Sequence, residues 1–233
     1  MKTHLRKRSA LTLAPIVKTV LFLSLALLPT IKSFATAQRP DKLIYEGKEY
    51  SLHTNPLEEY FFNNKDKRPK FESLRTSLWR GYVATFEIKD GWLYVKTVDQ
   101  DMGISNWTGR DKWKDITDSI FKNPKDKRLD CFSGLLVLPY GEVIHHVHMG
   151  YASTFENYIL LEIDKGKLVK EKKLSGEAYA TFKKKQFELF KKTDEYKKHL
   201  KELTKDGSKP EEKERFLEVF VIEYSKKILT ESD

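Results

Sequence analysis

Residues 80–98 read RGYVATFEIKDGWLYVKTV, and this stretch decides the fold. Two runs of alternating apolar and polar residues meet at Asp90-Gly91, a dipeptide that favours a two-residue β-turn because its second residue tolerates a positive φ. The turn fixes how the two strands pair, and therefore which residues share a face. Counted outward from the turn, the expected pairs on the apolar face are Ile88 with Leu93, Phe86 with Val95, Ala84 with Thr97, and Tyr82 with Asp99.

Three further hairpins are predicted between residues 43 and 169. Their turns fall at Glu46-Gly47, at Pro139-Tyr140-Gly141 and at residues 164–167, where the residue types favour turns. A short helix is predicted to start near Pro56. We therefore expect an α+β fold, mainly an antiparallel β-hairpin meander of about eight strands that curls into a barrel or sandwich to bury its apolar face.

The pattern changes after Ser175, where apolar residues recur at steps of three and four and predict an amphipathic helix. A break at Asp206-Gly207 follows. Ser208 and Glu211 then match a capping box that would begin a second helix. We expect these helices to form a C-terminal helical hairpin at residues 175–233, following an antiparallel β domain at residues 38–174.

Residues 1–37 have the three parts of a signal peptide: a basic start, an apolar run at residues 20–28, and Ala35-Thr36-Ala37 as a small-residue cleavage site. Cleavage after Ala37 would leave a secreted or periplasmic protein that begins at Gln38. The apolar run is shorter than the roughly 20 residues that a membrane-spanning helix needs. No transmembrane span is therefore expected once the signal is removed.

The signal segment carries much of the net charge. Removing its six basic residues lowers the formal net charge from +9 to +3. The chain has a single cysteine, Cys131, so an intramolecular disulfide is excluded even in an oxidising compartment. We interpret Cys131 as a small buried strand residue, since no neighbouring cations indicate a reactive thiolate.

Lysine is concentrated in residues 165–205, which hold fourteen Lys and six acidic residues. Such an excess could dock onto an anionic envelope surface or onto nucleic acid. Two features favour a solvated helix face instead: the lysine runs contain no Arg, and the final predicted helix is acidic. Nucleic acid is therefore not expected as a partner.

Trp79-Arg80-Gly81-Tyr82 opens the first hairpin and offers a candidate binding surface. If the pairing continues, Arg80 falls opposite Asp101, and a buried Arg needs such a partner. Arg80 would then be a structural ion pair at one end of the sheet. Alternatively, the segment forms a pocket for an anion or for an aromatic group of a partner. The rings of Trp92 and Tyr94 extend this predicted surface.

The segment EVIHHVH at residues 142–148 is the one candidate metal site. On a strand, His146 and His148 would project from the same face about 7 Å apart, together with Glu142. Two such imidazoles could share a zinc ion, although a third protein ligand is usual. The alternative is that His145 is a hydrogen-bonded core residue while His146 and His148 are half-exposed. No cofactor is expected.

Six stretches form one pattern: YEGKEY at 45–50, NPLE at 55–58 followed by Tyr60-Phe61, LWRGY at 78–82, FEIKDG at 86–91 followed by Leu93-Tyr94, FSG at 132–134, and HMGYAS at 148–153 followed by Glu156. The pattern resembles an uncharacterised bacterial protein family of unknown function. The resemblance implies no activity, cofactor or catalytic residue. It places His148, Tyr151 and Glu156 inside the motif, and leaves His145 and His146 outside it.

Together these observations predict an exported, non-catalytic binding or interaction module of the bacterial cell envelope. Its partner would be an envelope protein or ligand that the sequence does not identify. The predicted binding residues are Trp79, Arg80, Tyr82, Trp92, Tyr94, His148, Tyr151 and Glu156. The alternative is a metal-dependent hydrolase that uses the His-x-His pair His146 and His148 together with Glu142.

Overall fold

A computed structural model of the chain describes residues 36–70, 75–104 and 108–231. The predicted signal peptide lies outside the described residues apart from Thr36 and Ala37. The eight strands are β1 (Asp41–Tyr45), β2 (Lys48–Leu52), β3 (Tyr82–Lys89), β4 (Trp92–Ile104), β5 (Asp111–Asp115), β6 (Gly134–His145), β7 (Thr154–Asp164) and β8 (Lys167–Ser175). The helices are α1 (Pro56–Asn63), α2 (Thr117–Ile120), α3 (Gly176–Phe190), α4 (Asp194–Leu203), α5 (Pro210–Val219) and α6 (Val221–Tyr224).

The hairpin that opened the sequence analysis is present as β3 and β4. Asp90 and Gly91 both have positive φ, 52° and 77°, as a two-residue hairpin turn requires. Near the turn the predicted pairing is confirmed, with Phe86 opposite Val95 and Ile88 opposite Leu93.

Farther from the turn the predicted pairing is wrong by one residue. A β-bulge lies between Thr85 and Phe86, so Ala84 faces Val98 and Tyr82 faces Gln100. A bulge opposes two residues on one strand to one on the other. Its effect here is to bury Val98, rather than Thr97, with the core.

Two other predicted hairpins are confirmed. Glu46 and Gly47 turn between β1 and β2, and Lys165 and Gly166 turn between β7 and β8, all with positive φ. The third is wrong: β6 runs straight through Pro139 and Gly141 and pairs with β7, with Pro139 opposite Tyr158. Gly141, at φ 82°, occupies an irregularity in this strand instead of a turn.

All eight strands belong to one sheet with the order β2-β1-β3-β4-β8-β7-β6, and β5 pairs with β4 beside this path. The sheet is mixed because β1 and β3 run parallel, whereas the other pairs are antiparallel. The sheet is not closed, so the expected barrel is not supported. One backbone hydrogen bond links the residue after β2 to β6: the His53 N–H donates to the Val137 carbonyl at 2.9 Å.

The first half of the sheet, β1 to β5, meets the second half, β6 to β8, at the hairpin turns next to β4 and β8. Between β4 and β8 the ladder consists of one pair, Trp92 and Lys167. Two backbone hydrogen bonds of 2.8 Å reinforce it, from the Leu93 N–H to the Gly166 carbonyl and from the Leu168 N–H to the Gly91 carbonyl.

Apolar side chains form two cores, one on each face of β6 and β7. One face contributes Leu136, Leu138 and Ile159 to a core that it shares with β1, β3 and β4. The sheet therefore curls around this first core. The other face contributes residues such as Leu135 and Leu160 to a second core with the C-terminal helices.

The C-terminal region is helical, but not as a hairpin of two helices. The first predicted helix is interrupted after Phe190, because the Thr193 hydroxyl caps a new helix by accepting from the Tyr196 N–H at 3.2 Å. The predicted capping box is also absent: α5 begins after Lys209, and the Ser208 N–H donates to the Asp206 carboxylate at 2.9 Å. Four helices, α3 to α6, stand in place of two.

None of the helices in the described part of the chain is long and apolar enough to cross a bilayer. With one cysteine, the chain has no intramolecular disulfide. Cys131 is exposed in a turn before β6, so the expectation of a buried strand residue is wrong. Partial desolvation and the nearby Glu59 carboxylate raise the pKa of its thiol.

Candidate functional site

Arg80 and Asp41 form a fully buried ion pair at the start of the parallel strands β3 and β1. The Arg80 Nη2 atom lies 3.0 Å from the Asp41 Oδ1 atom, and both side chains are 0% exposed. The same carboxylate oxygen accepts from the Ala84 N–H at 2.9 Å. Since Asp41 begins β1 and Ala84 belongs to the adjacent β3, the strand pairing itself brings the carboxylate to Arg80.

A hydrogen-bond network extends from this pair. Arg80 Nη1 donates to the Tyr151 hydroxyl at 3.1 Å, and that hydroxyl donates to the Asn55 side-chain oxygen at 3.0 Å. The Tyr82 ring lies beside the guanidinium, 5.6 Å away, and its hydroxyl donates to Glu58 at 2.7 Å. The network therefore joins three of the sequence stretches that carry the family resemblance, at residues 55–58, 78–82 and 148–153.

The prediction that Asp101 is the partner of Arg80 is wrong. Asp101 pairs instead with Arg75, whose Nε atom lies 2.8 Å from its carboxylate. The bulge at Thr85 shifts the pairing, and the Gly81 carbonyl accepts from the Asp101 N–H. Complete burial raises the pKa of Asp41 to about 6, although the Arg80 guanidinium opposes the rise. Arg80 has a structural role within the described residues and does not face solvent.

The predicted binding residues do not form one surface. Arg80, Tyr82 and Tyr151 meet in the buried network, whereas the other predicted residues lie elsewhere. Trp92 is covered by Arg128, whose guanidinium lies 4.4 Å from the ring centre, and Tyr94 bridges to Arg128 through the backbone. Glu156 lies beside the irregularity in β6, 3.4 Å from the Glu142 N–H, and His148 is exposed in the following loop.

Trp79 is the predicted binding residue that combines exposure with a cavity. Its side chain is 50% exposed although the adjacent Arg80 is completely buried. It lines a cleft of about 350 Å³, here called the Trp79 cleft. The cleft is lined by Thr54, Asn55, Glu58, Glu59, Trp79, residues 132–135, His199 and residues 222–226. Its walls therefore come from the start of α1, the start of β6, and α6.

Three carboxylates line the Trp79 cleft, and two of them have polar or charged partners. Glu58 accepts two hydrogen bonds from Arg68, at 2.8 and 3.2 Å, besides that from Tyr82. Glu59 accepts from the Ser133 backbone and is attracted by Lys226, which also lines the cleft. The third, Glu223, forms no side-chain hydrogen bond or ion pair with the described residues. Glu223 is an exposed residue, and partial desolvation by the surrounding protein raises the pKa of its carboxyl to about 7.

Two hydroxyl groups at the same cleft lack partners. Thr54 and Ser225 are only 5% and 2% exposed, and both line the Trp79 cleft. Their hydroxyl oxygens are buried and form no hydrogen bond with any described residue. A buried hydroxyl without a partner is destabilising by about 1–3 kcal/mol.

A second cleft, of about 260 Å³, lies on the other side of α6 and shares Glu223 with the first. Its wall includes His53, which stacks on Tyr151 with ring centres 4.7 Å apart. Burial lowers the pKa of His53 to about 4, so the imidazole is neutral at physiological pH. Tyr151 thus connects this second cleft to the Arg80 network.

A larger cleft, of about 670 Å³, lies elsewhere, between β1, β2 and β5. Charged side chains along it already pair with one another or with a neighbour. Lys42 lies 2.9 Å from Glu49, and Arg39 lies 3.0 Å from Asp111 and stacks on Trp113. These charged groups have partners, so this larger cleft offers a ligand less than the smaller Trp79 cleft does.

The imidazoles of His146 and His148 are close, with ring centres 4.5 Å apart. They do not lie on a strand as expected, because β6 ends at His145. His145 is exposed and is not a core residue. Within the ranges that the structure describes, no group of three His, Cys, Asp or Glu residues could hold a metal ion, so Glu142 does not complete a site with the two histidines.

Sequence reasoning missed Asp41, Thr54, Glu223 and Ser225. Glu58 enters the sequence analysis only as part of the resemblance. Comparison of the chain with protein-family models, with curated proteins and with solved structures finds no match.

Proposed function

We propose that this chain is a non-catalytic binding module of the bacterial cell envelope, and that its ligand site is the Trp79 cleft. The observation that carries the proposal is the position of Trp79. A large aromatic side chain is half exposed at the rim of a cleft, while the next residue is locked in the buried Arg80–Asp41 pair. Indoles in such positions are common anchors of binding interfaces.

Arg80 is held in its buried ion pair, and this fixes the backbone of the adjacent Trp79. The Leu78 N–H donates to the Arg75 carbonyl at 2.9 Å, and the Gly81 N–H donates to the Leu78 carbonyl at 2.9 Å. An indole held on such a turn loses little conformational freedom when a ligand binds. Affinity at this site would therefore depend on contacts made by the ligand more than on ordering of the protein.

Assignment to the envelope is supported by the export pattern of residues 1–37. Two hydrogen bonds tie Gln38, the first residue after the proposed cleavage point, to the rest of the mature chain, and a third, from its side-chain amide to the Thr36 carbonyl at 3.3 Å, would be lost on cleavage. Its N–H donates to the Gly150 carbonyl at 3.0 Å, and its side-chain amide donates to the Thr76 carbonyl at 2.8 Å. A chain that begins at Gln38 keeps both bonds.

Pull-down from an envelope extract tests the proposal, with the mature chain from Gln38 as bait. Trp79→Ala should remove the partners or ligands that the unaltered chain retains. Phe62→Ala is the matched control, because Phe62 is a 74% exposed aromatic residue that does not line the cleft. Unchanged recovery with Trp79→Ala would show that the cleft is not the binding site. Mass measurement of the exported chain tests cleavage after Ala37.

A further inference from the structure

The second cleft, of about 260 Å³, has walls made largely of aromatic rings. His53 stacks on Tyr151, with ring centres 4.7 Å apart. Tyr158 stacks on Tyr179, with ring centres 4.0 Å apart and an angle of 21° between the ring planes. Phe220 contributes a further ring to the wall. Walls of this kind favour a flat, apolar ligand, because ring stacking adds to the free energy gained by burying the ligand.

One face of α3 forms part of this wall. Four residues of the helix line the cleft at spacings of three and four positions, which places them on the same side of α3: Gly176, Tyr179, Ala180 and Lys183. Because Gly176 and Ala180 are small, they leave space beside the two larger side chains.

Lys183 brings an ammonium group to the rings without an acidic partner. Its Nζ atom lies 5.2 Å from the centre of the Tyr179 ring, and the side chain is half-buried. The ammonium group forms no hydrogen bond or ion pair with any described residue, and it is not a completely buried atom, so a ligand can reach it. Burial lowers its pKa. An ammonium group that has lost hydration without gaining a partner would be stabilised by an anion.

The His53 imidazole is a second polar group that lines the cleft. Its ring contacts Tyr151 and Phe155 but forms no hydrogen bond with the described residues. Its nitrogens are also not completely buried. The neutral ring carries one N–H donor, and a carboxylate offers two acceptor oxygens for the donors of His53 and Lys183.

The groups already present favour an anionic ligand over a cationic one. A cation would meet the Lys183 ammonium, which already lies over the Tyr179 ring. Glu223 also lines the cleft, but it is an exposed residue and forms no ion pair with Lys183. The pKa of its carboxyl is about 7, so Glu223 is partly protonated near neutral pH and opposes an anion only weakly.

We infer that the second cleft binds a small aromatic carboxylate, with the Lys183 ammonium as counter-charge, the His53 imidazole as hydrogen-bond donor, and the stacked rings as its walls. The volume of about 260 Å³ lies just below the range of about 300–1,000 Å³ that is typical of drug-sized ligands, so the ligand is small. This binding is additional to that at the Trp79 cleft and does not depend on the proposed function.

Titration of the mature chain at pH 7.5 with three probes tests the inference. Benzoate is flat and anionic, benzamide is flat and uncharged, and cyclohexanecarboxylate is anionic but not flat. The readout is the backbone amide signals of Gly176 and Ala180 in nuclear magnetic resonance spectra. Benzoate should bind at least about fivefold more tightly than benzamide, because hydrogen bonds between charged groups are the stronger ones. It should also bind more tightly than cyclohexanecarboxylate, since only the flat ring can stack.

Variants identify the counter-charge and the cleft. Lys183→Met keeps the apolar stem and removes the charge, so it should weaken benzoate binding at least about fivefold. Lys184→Met is the matched control and should change nothing, because Lys184 is exposed on α3 outside the cleft. Ala180→Leu adds volume at an exposed position of the wall and should weaken all three probes. Glu223→Gln removes a negative charge and should bind benzoate at least as tightly.

Thermal unfolding of each variant shows that it is folded. Equal binding of benzoate and benzamide, or unchanged binding in Lys183→Met, would overturn the inference. Weaker binding of benzoate in Glu223→Gln, or saturable binding that leaves the signals of Gly176 and Ala180 unchanged, would also overturn it. The envelope pull-down with Trp79→Ala is a separate measurement, so failure at the second cleft is distinguishable from failure of the proposed function.

Discussion

Asp41 and Arg80 are 39 positions apart in the chain, yet their side chains meet in a completely buried ion pair. The pair joins the first strand of the sheet to the segment that leads into β3. Through Tyr151 it also fixes the loop that precedes β7. The position of Trp79 at its cleft depends on this pair, because the two residues Trp79 and Arg80 are neighbours.

Removal of one partner of the pair should destabilise the fold strongly. Arg80→Met leaves the Asp41 carboxylate buried and unpaired, which is expected to cost about 3–5 kcal/mol. Asp41→Asn combined with Arg80→Met removes both charges and should recover at least about 2 kcal/mol relative to the sum of the single changes. Urea unfolding of the four proteins measures this coupling.

Arg128→Met is the control for that cycle. Arg128 pairs with Asp130 at the surface, 2.6 Å away with both side chains substantially exposed. Its loss should cost less than about 1 kcal/mol. Strict additivity of the two core changes would contradict a coupled Arg80–Asp41 pair.

Two turn glycines should differ in their tolerance of a side chain. Gly91→Ala meets only the strain of a positive φ, because nothing lies within 4 Å of the added Cβ. Gly166→Ala has the same strain, and its Cβ would also lie 2.7 Å from the Leu129 carbonyl oxygen. We expect the second substitution to be the more destabilising by at least about 1 kcal/mol. Thermal unfolding compares them, and equal losses would contradict the close packing at Gly166.

Glu223 should make the protein less stable as the pH rises. Its pKa is raised from 4.5 to about 7 in the folded state, so the folded protein holds a proton that the unfolded chain has released. Stability attributable to Glu223 therefore falls between about pH 4.5 and pH 7. The difference in unfolding free energy between Glu223→Gln and the unaltered chain should grow in favour of the variant over this range.

Other titratable groups line the two clefts with Glu223 and must be unchanged in that comparison. They are Glu58, Glu59, His199 and Lys226 in the Trp79 cleft, and His53, Tyr151, Tyr179 and Lys183 in the second cleft. A difference that does not vary with pH would show that Glu223 titrates normally.

His53 should act in the opposite direction. Burial lowers its pKa from 6.5 to about 4, so the unfolded chain binds a proton that the folded state excludes. The contribution of His53 to stability is complete above about pH 6.5 and is lost as the pH falls toward 4. In His53→Gln the acid sensitivity in this window should be reduced. Urea unfolding at pH 7, 6, 5 and 4 provides the measurement.

Metal content tests the hydrolase alternative. A metal held by His146 and His148 would need a third ligand, and no suitable group occurs in the described ranges. Protein purified without a metal-affinity tag should contain well below one metal ion per chain by elemental analysis. A stoichiometric metal that is lost in His146→Ala would revive the alternative.

The sequence was informative where structure depends on neighbouring residues. Asp90-Gly91, Glu46-Gly47 and Lys165-Gly166 form turns because their conformational preferences act locally. Pro139 misled the prediction, since β6 is at the edge of the sheet, where a proline removes no hydrogen bond from the ladder.

Long-range relationships could not be obtained in this way. The partner of Arg80 follows from parallel pairing of β1 with β3, which no local pattern indicates. The Trp79 cleft is assembled from segments near residues 54–59, 132–135 and 222–226. Only the tertiary structure places Glu223 at this cleft.

The contact between the turns at Gly91 and Gly166 affects the order in which the chain folds. Each half of the sheet is built from segments close in sequence, and only the two turns connect the β4 and β8 ladders. We expect residues 41–115 to assemble as they emerge during synthesis, before residues 134–175 exist. Docking of the later half onto that template would be the slow, final event of maturation, because the pairing of Trp92 with Lys167 closes a longer loop than the pairing of β1 with β3.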